Sequence, residues 1–278
     1  MLSRKKLLDA TAAEWDLPMA NALVNSAGAS LAVTLFLYLW RTLYPATDWA
    51  VVALAPLAAL LFMGSLWTSA AVYRASMKAA VRGNSPLTWL MTGRVRAFFG
   101  ATIFTLIAVP LLAWHAISST YPEFLLVAFL CFIASMLFAG IEHKLLDHLT
   151  PPFARVTALS LAMLIAALFF VPVLAWADWN FTPQPSAIRS AGLGEALELG
   201  FRELPARRGW MAELLAPFYA LEYGKLWVVV QPRSPKWFSF WYSIDAALIS
   251  FVAGRASAVL MSIVQPMRGE FDEPKPKF

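Results

Sequence analysis

The residue types best suited to chemistry lie together in the segment IEHKLLDHL, residues 141–149. His143 and Asp147 are four residues apart, and so are Lys144 and His148, which places each pair on one face of a helix. An imidazole beside a carboxylate can bind zinc or relay protons. One helix face supplies only two ligands, however, whereas a zinc site needs three or four. We therefore interpret the segment as a solvated helix end. His143, Asp147 and His148 are the candidates for a metal site, and no metal is expected.

Motifs for other chemistry are missing from the sequence. It contains no HExxH, CxxC, P-loop, GxGxxG or GxSxG pattern, and no paired acids of the kind found in intramembrane proteases. The single cysteine, Cys131, excludes an intrachain disulfide. These observations predict no catalytic residue and no cofactor, although an enzyme that modifies lipids can have a diffuse site without a motif.

Two ionisable residues interrupt the last apolar segment, SIDAALISFVAGRASAVLMS at 243–262. Arg255 lies about 15 Å from the inner end of this segment at the rise of a helix, and an unpaired arginine at such depth costs at least about 2.5–3.5 kcal/mol. We expect Arg255 to meet an acceptor on another helix or chain, whereas Asp245 lies near enough to the outer interface to be solvated. Small residues form a row on this helix, where another helix can approach closely: Ala246, Ser250, Gly254 and Ala258.

A basic stripe follows the second apolar segment. Arg74, Lys78 and Arg82 recur at four-residue spacing on one predicted helix. Anionic lipid head groups attract such side chains by about 1 kcal/mol per charge. Ordinary anchoring by positive residues on the inner side of a membrane explains the stripe equally well.

The composition is typical of a membrane protein. Hydrophobic residues make up 60% of the 278 residues and charged residues only 14%, whereas soluble domains have about 25% charged residues. Apolar runs of about 20 residues, the length that crosses a bilayer, recur along the chain. The formal charge of +5 comes from basic residues that flank these runs. We therefore expect membrane lipid, and not nucleic acid, as their partner.

The apolar runs predict an all-α integral membrane protein with six spans. Their expected bounds are about 24–43, 50–72, 98–117, 124–141, 156–177 and 238–264. Lys and Arg concentrate in alternate short connections, which places both termini on the cytoplasmic side. Aromatic residues near the opposite ends of the spans agree with this orientation. We interpret the membrane as a bacterial inner membrane.

Amphipathic segments flank and connect the spans. The expected organisation is a cytoplasmic interfacial helix at 1–20, a five-span bundle at 21–177, an extracytoplasmic helical cap at 178–237, a sixth span at 238–265 and a charged cytoplasmic tail at 266–278. One face of a cap helix is apolar and is predicted to be a partner surface: Leu193, Leu197, Phe201 and Leu204.

The segment 209–230 within the cap is ambiguous because it is long enough to form a seventh span. Glu213, Glu222 and Lys225 are costly in a bilayer, and Pro217 lies in the middle of the segment. We interpret it as a broken helix on or in the outer leaflet and keep the seventh span as the alternative.

Two classes of function fit these features. The first is a structural or assembly subunit of a larger membrane complex, of the secretion or conjugation type. The cap and the charged tail suit contacts with other membrane-protein subunits, and the small-residue row suits self-association through the last span. The second is a transporter or channel for ions or small solutes, with Arg255 lining the pathway. The other spans offer few polar residues, which favours the first class. A membrane-embedded lipid-modifying enzyme is the third alternative.

Overall fold

The structure is a computed structural model and describes residues 4–80, 93–181, 186–202, 209–230 and 235–264. Within these ranges all regular secondary structure is helical. The α-helices are α1 (Arg4–Leu43), α2 (Ala55–Ala80), α3 (Arg94–Ser118), α4 (Tyr121–Leu145), α5 (Pro151–Phe181), α6 (Ala187–Ser190), α7 (Leu193–Arg202), α8 (Trp210–Val230) and α9 (Pro235–Val264). A short 3-10 helix, Asp48–Leu54, precedes α2.

Six stretches of the described residues are long and apolar enough to cross a membrane, as the sequence predicts. They are Ala20–Leu43, Asp48–Ser76, Arg94–Ser118, Tyr121–Leu145, Pro151–Asp178 and Ile244–Val264. Several are longer than their apolar runs because the helices continue to polar ends. At the start of α4, for example, the backbone N–H of Thr120 donates to the Glu123 carboxylate over 2.7 Å, which satisfies a donor that the helix leaves unpaired.

The residues predicted to form a separate interfacial helix belong to α1. This helix begins at Arg4 and continues without interruption to Leu43, so that residues 4–20 extend the first span. Their position at a membrane surface stays a prediction. The charged tail predicted at 266–278 lies outside the described residues.

The last helix, α9, lies at the centre of the bundle, where it contacts α1, α2, α3, α4, α5 and α8. Ser257 Oγ donates to the carbonyl oxygen of Cys131 over 2.8 Å and lies 2.5 Å from Ser135 Oγ, which joins α9 to α4. The predicted row of small residues is buried: Ala246, Ser250, Gly254 and Ala258. The row therefore packs against helices of this chain. Self-association through the last span stays a prediction.

We call helices α6, α7 and α8 the cap. α6 and α7 pack on α8, and α8 contacts α9 at the end of the bundle that we call the cap end. The opposite end, which carries the turn between α4 and α5, is the far end. α7 approaches α8 closely at Gly200, where an added Cβ atom would lie 2.7 Å from the Cα of Ala220. A glycine is required there because any side chain would push the two helices apart.

The segment 209–230 differs from its prediction in one respect. α8 runs from Trp210 to Val230 as one helix with Pro217 inside it, so that the predicted break is absent. Proline removes one backbone donor from a helix, but α8 is held on both sides of Pro217 by buried residues, among them Leu215 and Tyr219. α8 is not one of the six stretches that are apolar enough to cross a membrane.

Candidate functional site

Ionisable side chains from three helices meet beneath the cap. Lys225 Nζ of α8 lies 3.1 Å from Asp178 Oδ2, near the end of α5, and 3.0 Å from Asp245 Oδ2, at the start of the apolar stretch of α9. The three side chains are only 12%, 19% and 23% exposed. Charge-assisted bonds of this length are strong when water is mostly excluded. Lys225 therefore ties the cap to two spans.

Contacts on both sides of Lys225 hold α8 over the bundle. The indole N–H of Trp227 donates to the carbonyl oxygen of Ala191 over 2.8 Å, which joins α8 to the connection between α6 and α7. Nearer the start of α8, the ring of Phe218 lies 6.1 Å from the ring of Trp114 on α3. Because these contacts are apolar or neutral, they position the ammonium group without competing for its charge.

Two more titratable residues complete the group, which we call the cap-end charge cluster: Lys225, Asp178, Asp245, Glu222 and His115. All five line a small cavity beneath the cap. The volume open to the centre of a water molecule is about 20 Å³, enough for one or two water molecules. His115 Nε2 is buried and has no hydrogen-bond partner among the described residues.

Burial and charge shift the protonation of both α8 residues, which lie outside the six spans. Burial lowers the pKa of Lys225, but the carboxylates of Asp245 and Asp178 outweigh it and raise the pKa above its usual range. Burial, with the negative charges of Asp178 and Asp245, raises the pKa of Glu222 from 4.5 to about 7 against the opposing charge of Lys225. Near neutral pH, Lys225 is therefore charged and Glu222 is partly protonated.

A second buried ion pair lies at the far end. Arg155 Nε of α5 donates to Glu142 Oε1 of α4 over 2.7 Å, and Arg155 Nη1 donates to the carbonyl oxygen of Ser262 on α9 over 3.2 Å. The Arg155 and Glu142 side chains are only 6% and 9% exposed. This pair joins three spans and balances its own charge.

The side chain of Arg255 extends from α9 towards α3. Its guanidinium carbon is 4.6 Å from the centre of the ring of Phe104, a residue of α3. Its Nε is buried without a hydrogen-bond partner in the described part of the chain. A cation over an aromatic face is stabilised by about 1–2 kcal/mol. The structure thus gives Arg255 an aromatic partner on another helix. A hydrogen-bond acceptor from another chain stays a prediction.

Asp245 differs from its prediction, since it is bonded to Lys225 and not merely solvated. Asp245 therefore has a cation from the cap as its partner. Arg255 contributes nothing to this pairing, as the sequence spacing of the two residues on one helix indicates.

The candidate metal ligands lie outside the cap-end charge cluster. His143, Asp147 and His148 are exposed at the far end, and α4 ends at Leu145, so that the last two follow the helix. In the described ranges no group of three His, Cys, Asp or Glu residues is placed to hold a metal ion.

The basic stripe and the apolar face of α7 are only partly described. Arg74 is exposed and its Nε donates to the carbonyl oxygen of Ala70 over 3.3 Å, while the side chains of Lys78 and Arg82 lie outside the described part. On α7, Leu193 and Phe201 are 45% and 49% exposed. Leu197 packs on α8, where an added Cβ at Gly224 would lie 2.9 Å from Leu197 Cδ2. Leu204 is not described.

Sequence reasoning missed the assembly of the cap-end charge cluster. Asp178, Glu222 and Lys225 are visible in the sequence, but amphipathic spacing is a sufficient reason for each one separately. One signal does point to them: ionisable residues inside an apolar helix are costly unless they are paired. That cost applies to Glu222 and Lys225 in α8 as it does to Arg255 in α9.

Comparison with known proteins adds no further information. No protein-family model, curated protein or solved structure matches this chain. The function is therefore inferred from the geometry alone.

Proposed function

We propose that this protein is a structural or assembly subunit of a larger membrane complex, and that its cap contacts another membrane-protein subunit. One observation carries the proposal: the cap is firmly attached to the bundle, yet it leaves large apolar side chains exposed. On α8, Trp210, Leu214 and Leu221 are 54%, 56% and 67% exposed. Their spacing of four and seven residues places them on one helix face.

The attachment of the cap matters as much as its exposed face. Lys225 binds two spans, and the Gly200 contact fixes α7 on α8. A preorganised surface loses little conformational entropy when a partner binds. Apolar patches at the end of a bundle, outside the helices that can cross a bilayer, are typical of interaction sites.

The test is a double substitution on the exposed face of α8. We expect Leu214→Glu with Leu221→Glu to insert normally but to lose the partner, measured by native gel electrophoresis and co-purification from detergent-solubilised membranes. The matched control is Ser186→Glu with Ser190→Glu, which adds the same charge at exposed polar positions of the cap. Normal assembly of the α8 variant contradicts the proposal and leaves lipid as the cover of this face.

The orientation forms part of the same proposal: both termini are cytoplasmic and the membrane is a bacterial inner membrane. The distribution of Lys and Arg supports it. A cysteine at Asn180, which is exposed at the cap end, is expected to react with an impermeant thiol reagent from outside. A cysteine at His148, exposed at the far end, is expected to stay unreacted. The native Cys131 is buried and gives little background. The reverse labelling pattern contradicts the orientation.

Transport is the second candidate, because polar atoms lie unpaired along the middle of α9 and α3. Arg255 Nε, Ser250 Oγ and Thr105 Oγ1 are buried without hydrogen-bond partners in the described residues. A pathway through a membrane requires such groups from several helices. The test is the flux of ions or solute into liposomes that contain the purified protein. A flux that is lost in Arg255→Leu and partly kept in Arg255→Lys supports transport over assembly.

A further inference from the structure

We propose that the cap-end charge cluster is a proton-binding site, in which Glu222 carries an exchangeable proton beside the water-sized cavity while Lys225 stays charged between its two carboxylates. The site is independent of the proposed function, since it requires no partner protein.

Three carboxyl groups of the described residues gather around one ammonium group. Asp178 of α5 and Asp245 of α9 both bond to Lys225. Glu222 of α8 lies one helical turn before Lys225 and lines the same cavity. An ionised Glu222 would therefore place a third negative charge in a partly dehydrated site beside two others. Such a site disfavours a third like charge, and the readiest relief is a proton.

Two further charged side chains of the described residues lie near the cluster. Arg41 of α1 donates to Ser119 Oγ over 3.4 Å and lies 4.7 Å from the centre of the Tyr121 ring. Glu123 of α4 accepts from the start of its own helix. Glu123 also lines the cavity, where its negative charge further disfavours an ionised Glu222. His115 of α3 lines the cavity as well.

Glu222 is the carboxyl group that takes up the proton. Asp178 and Asp245 each bond to Lys225 at about 3 Å, so that each of these two carboxyl groups already has a cation as its hydrogen-bond partner. Glu222 is partly buried and lines the cavity beside these two aspartates. The increased pKa of Glu222, about 7, agrees with this assignment.

The cavity supplies the route and His115 the second proton acceptor. A volume of about 20 Å³ holds a water molecule, through which a proton can reach a carboxyl group that the protein otherwise covers. The unpaired Nε2 of His115 is buried at the same cavity. An imidazole there can accept the proton from Glu222 or hydrogen-bond to its protonated form.

The test is the titration of purified protein in lipid nanodiscs by infrared difference spectroscopy of carboxyl groups. We expect the parent to show a protonated carboxyl band that titrates near pH 7. It disappears in Glu222→Gln and persists in Glu213→Gln, which changes an exposed glutamate on the same helix. His115→Gln is expected to shift the midpoint of the band.

The outcomes are separable. A parent protein without any carboxyl titration above about pH 6 overturns the site, and this measurement requires no variant to fold. A band that persists in Glu222→Gln assigns the proton to another residue and also overturns the proposal. An unchanged midpoint in His115→Gln removes His115 from the site.

Discussion

The two ends of the bundle both bury ionisable side chains, but they differ in charge balance and in access to water. At the far end, Arg155 and Glu142 form one pair with side chains 6% and 9% exposed. At the cap end, one lysine forms ion pairs with two aspartates whose side chains are 19% and 23% exposed. A third carboxyl group and a cavity lie beside them. The far-end pair matches one cation to one carboxylate, whereas the cap-end charge cluster gathers three carboxyl groups around one lysine beside a cavity.

This difference indicates two roles for buried charge in one bundle. A neutral, fully hydrogen-bonded pair has no proton to exchange and serves to hold helices in register. An unbalanced cluster beside water can change its protonation state, and its attachment to the cap links that state to the position of α8. Substitutions at the two ends are expected to separate these roles.

Breaking the far-end pair is expected to have the largest effect. Glu142→Leu leaves the Arg155 charge buried without its carboxylate and is expected to reduce the free energy of unfolding by about 3–5 kcal/mol. The measurement is denaturation in mixed micelles followed by circular dichroism. Replacing both partners, Glu142→Leu with Arg155→Met, is expected to restore much of the loss. If the free energy of unfolding of Glu142→Leu lies within about 1 kcal/mol of that of the parent, the ion pair has no structural role.

Removing the cap-end cation is expected to cost less and to depend on pH. Lys225→Met leaves Asp178 and Asp245 facing each other, and we expect a loss of about 2 kcal/mol at pH 8, because partial exposure reduces the penalty. Because the two like-charged carboxylates of this variant repel each other, we expect acidification to restore its stability, whereas the arginine left by Glu142→Leu cannot lose its charge. Arg202→Met is the control, since its exposed pair with Glu198 contributes less than about 1 kcal/mol. If the stability of Lys225→Met does not recover at low pH, this would falsify the pairing of Lys225 with the two aspartates.

Loosening the cap without changing any charge tests how far the cluster depends on packing. Gly200→Ala forces a Cβ into the backbone of α8 and is expected to destabilise the cap by about 1–3 kcal/mol. Limited proteolysis of the cap measures this change. Gly194→Ala, on the same helix with nothing within 4 Å, is the matched control and is expected to leave cleavage unchanged. Equal cleavage of the two variants argues against the close contact of α7 with α8.

The smallest expected effect is the pH dependence that Glu222 contributes. Its pKa is raised from 4.5 to about 7 in the folded state, so between these values the folded protein binds the proton more tightly than the unfolded chain. The free energy of unfolding therefore decreases as pH rises through this range, by about 1 kcal/mol after allowance for partial exposure. Chemical denaturation at several pH values measures the slope. We expect Glu222→Gln to lose this part of the slope and Glu213→Gln to keep it; an opposite sign contradicts the assignment.

Several features of this protein follow from the sequence by itself. Six spans are predictable because bilayer thickness sets a required apolar length, and that length is a local property of the chain. The amphipathic character of α7 is equally local. The four-residue spacing of Leu193, Leu197 and Phe201 places them on one helix face wherever the helix lies in the fold. The depth of Arg255 in its span follows from the helical rise in the same way.

The partners of the buried charges were decided only by the tertiary structure. Lys225 is 47 residues from Asp178 and 20 from Asp245, and Ser135 is 122 residues from Ser257. Hydropathy shows that helices cross a membrane but not which helices are neighbours, because neighbours are chosen by side-chain packing between distant segments. Packing also decides which residues of the cap are exposed. Leu197, which the sequence presents as a free surface, contacts α8, and the exposed face consists of α8 residues that look like part of a span. Charge pairing and surface exposure depend on what lies beside a helix, and no property of the helix alone determines that.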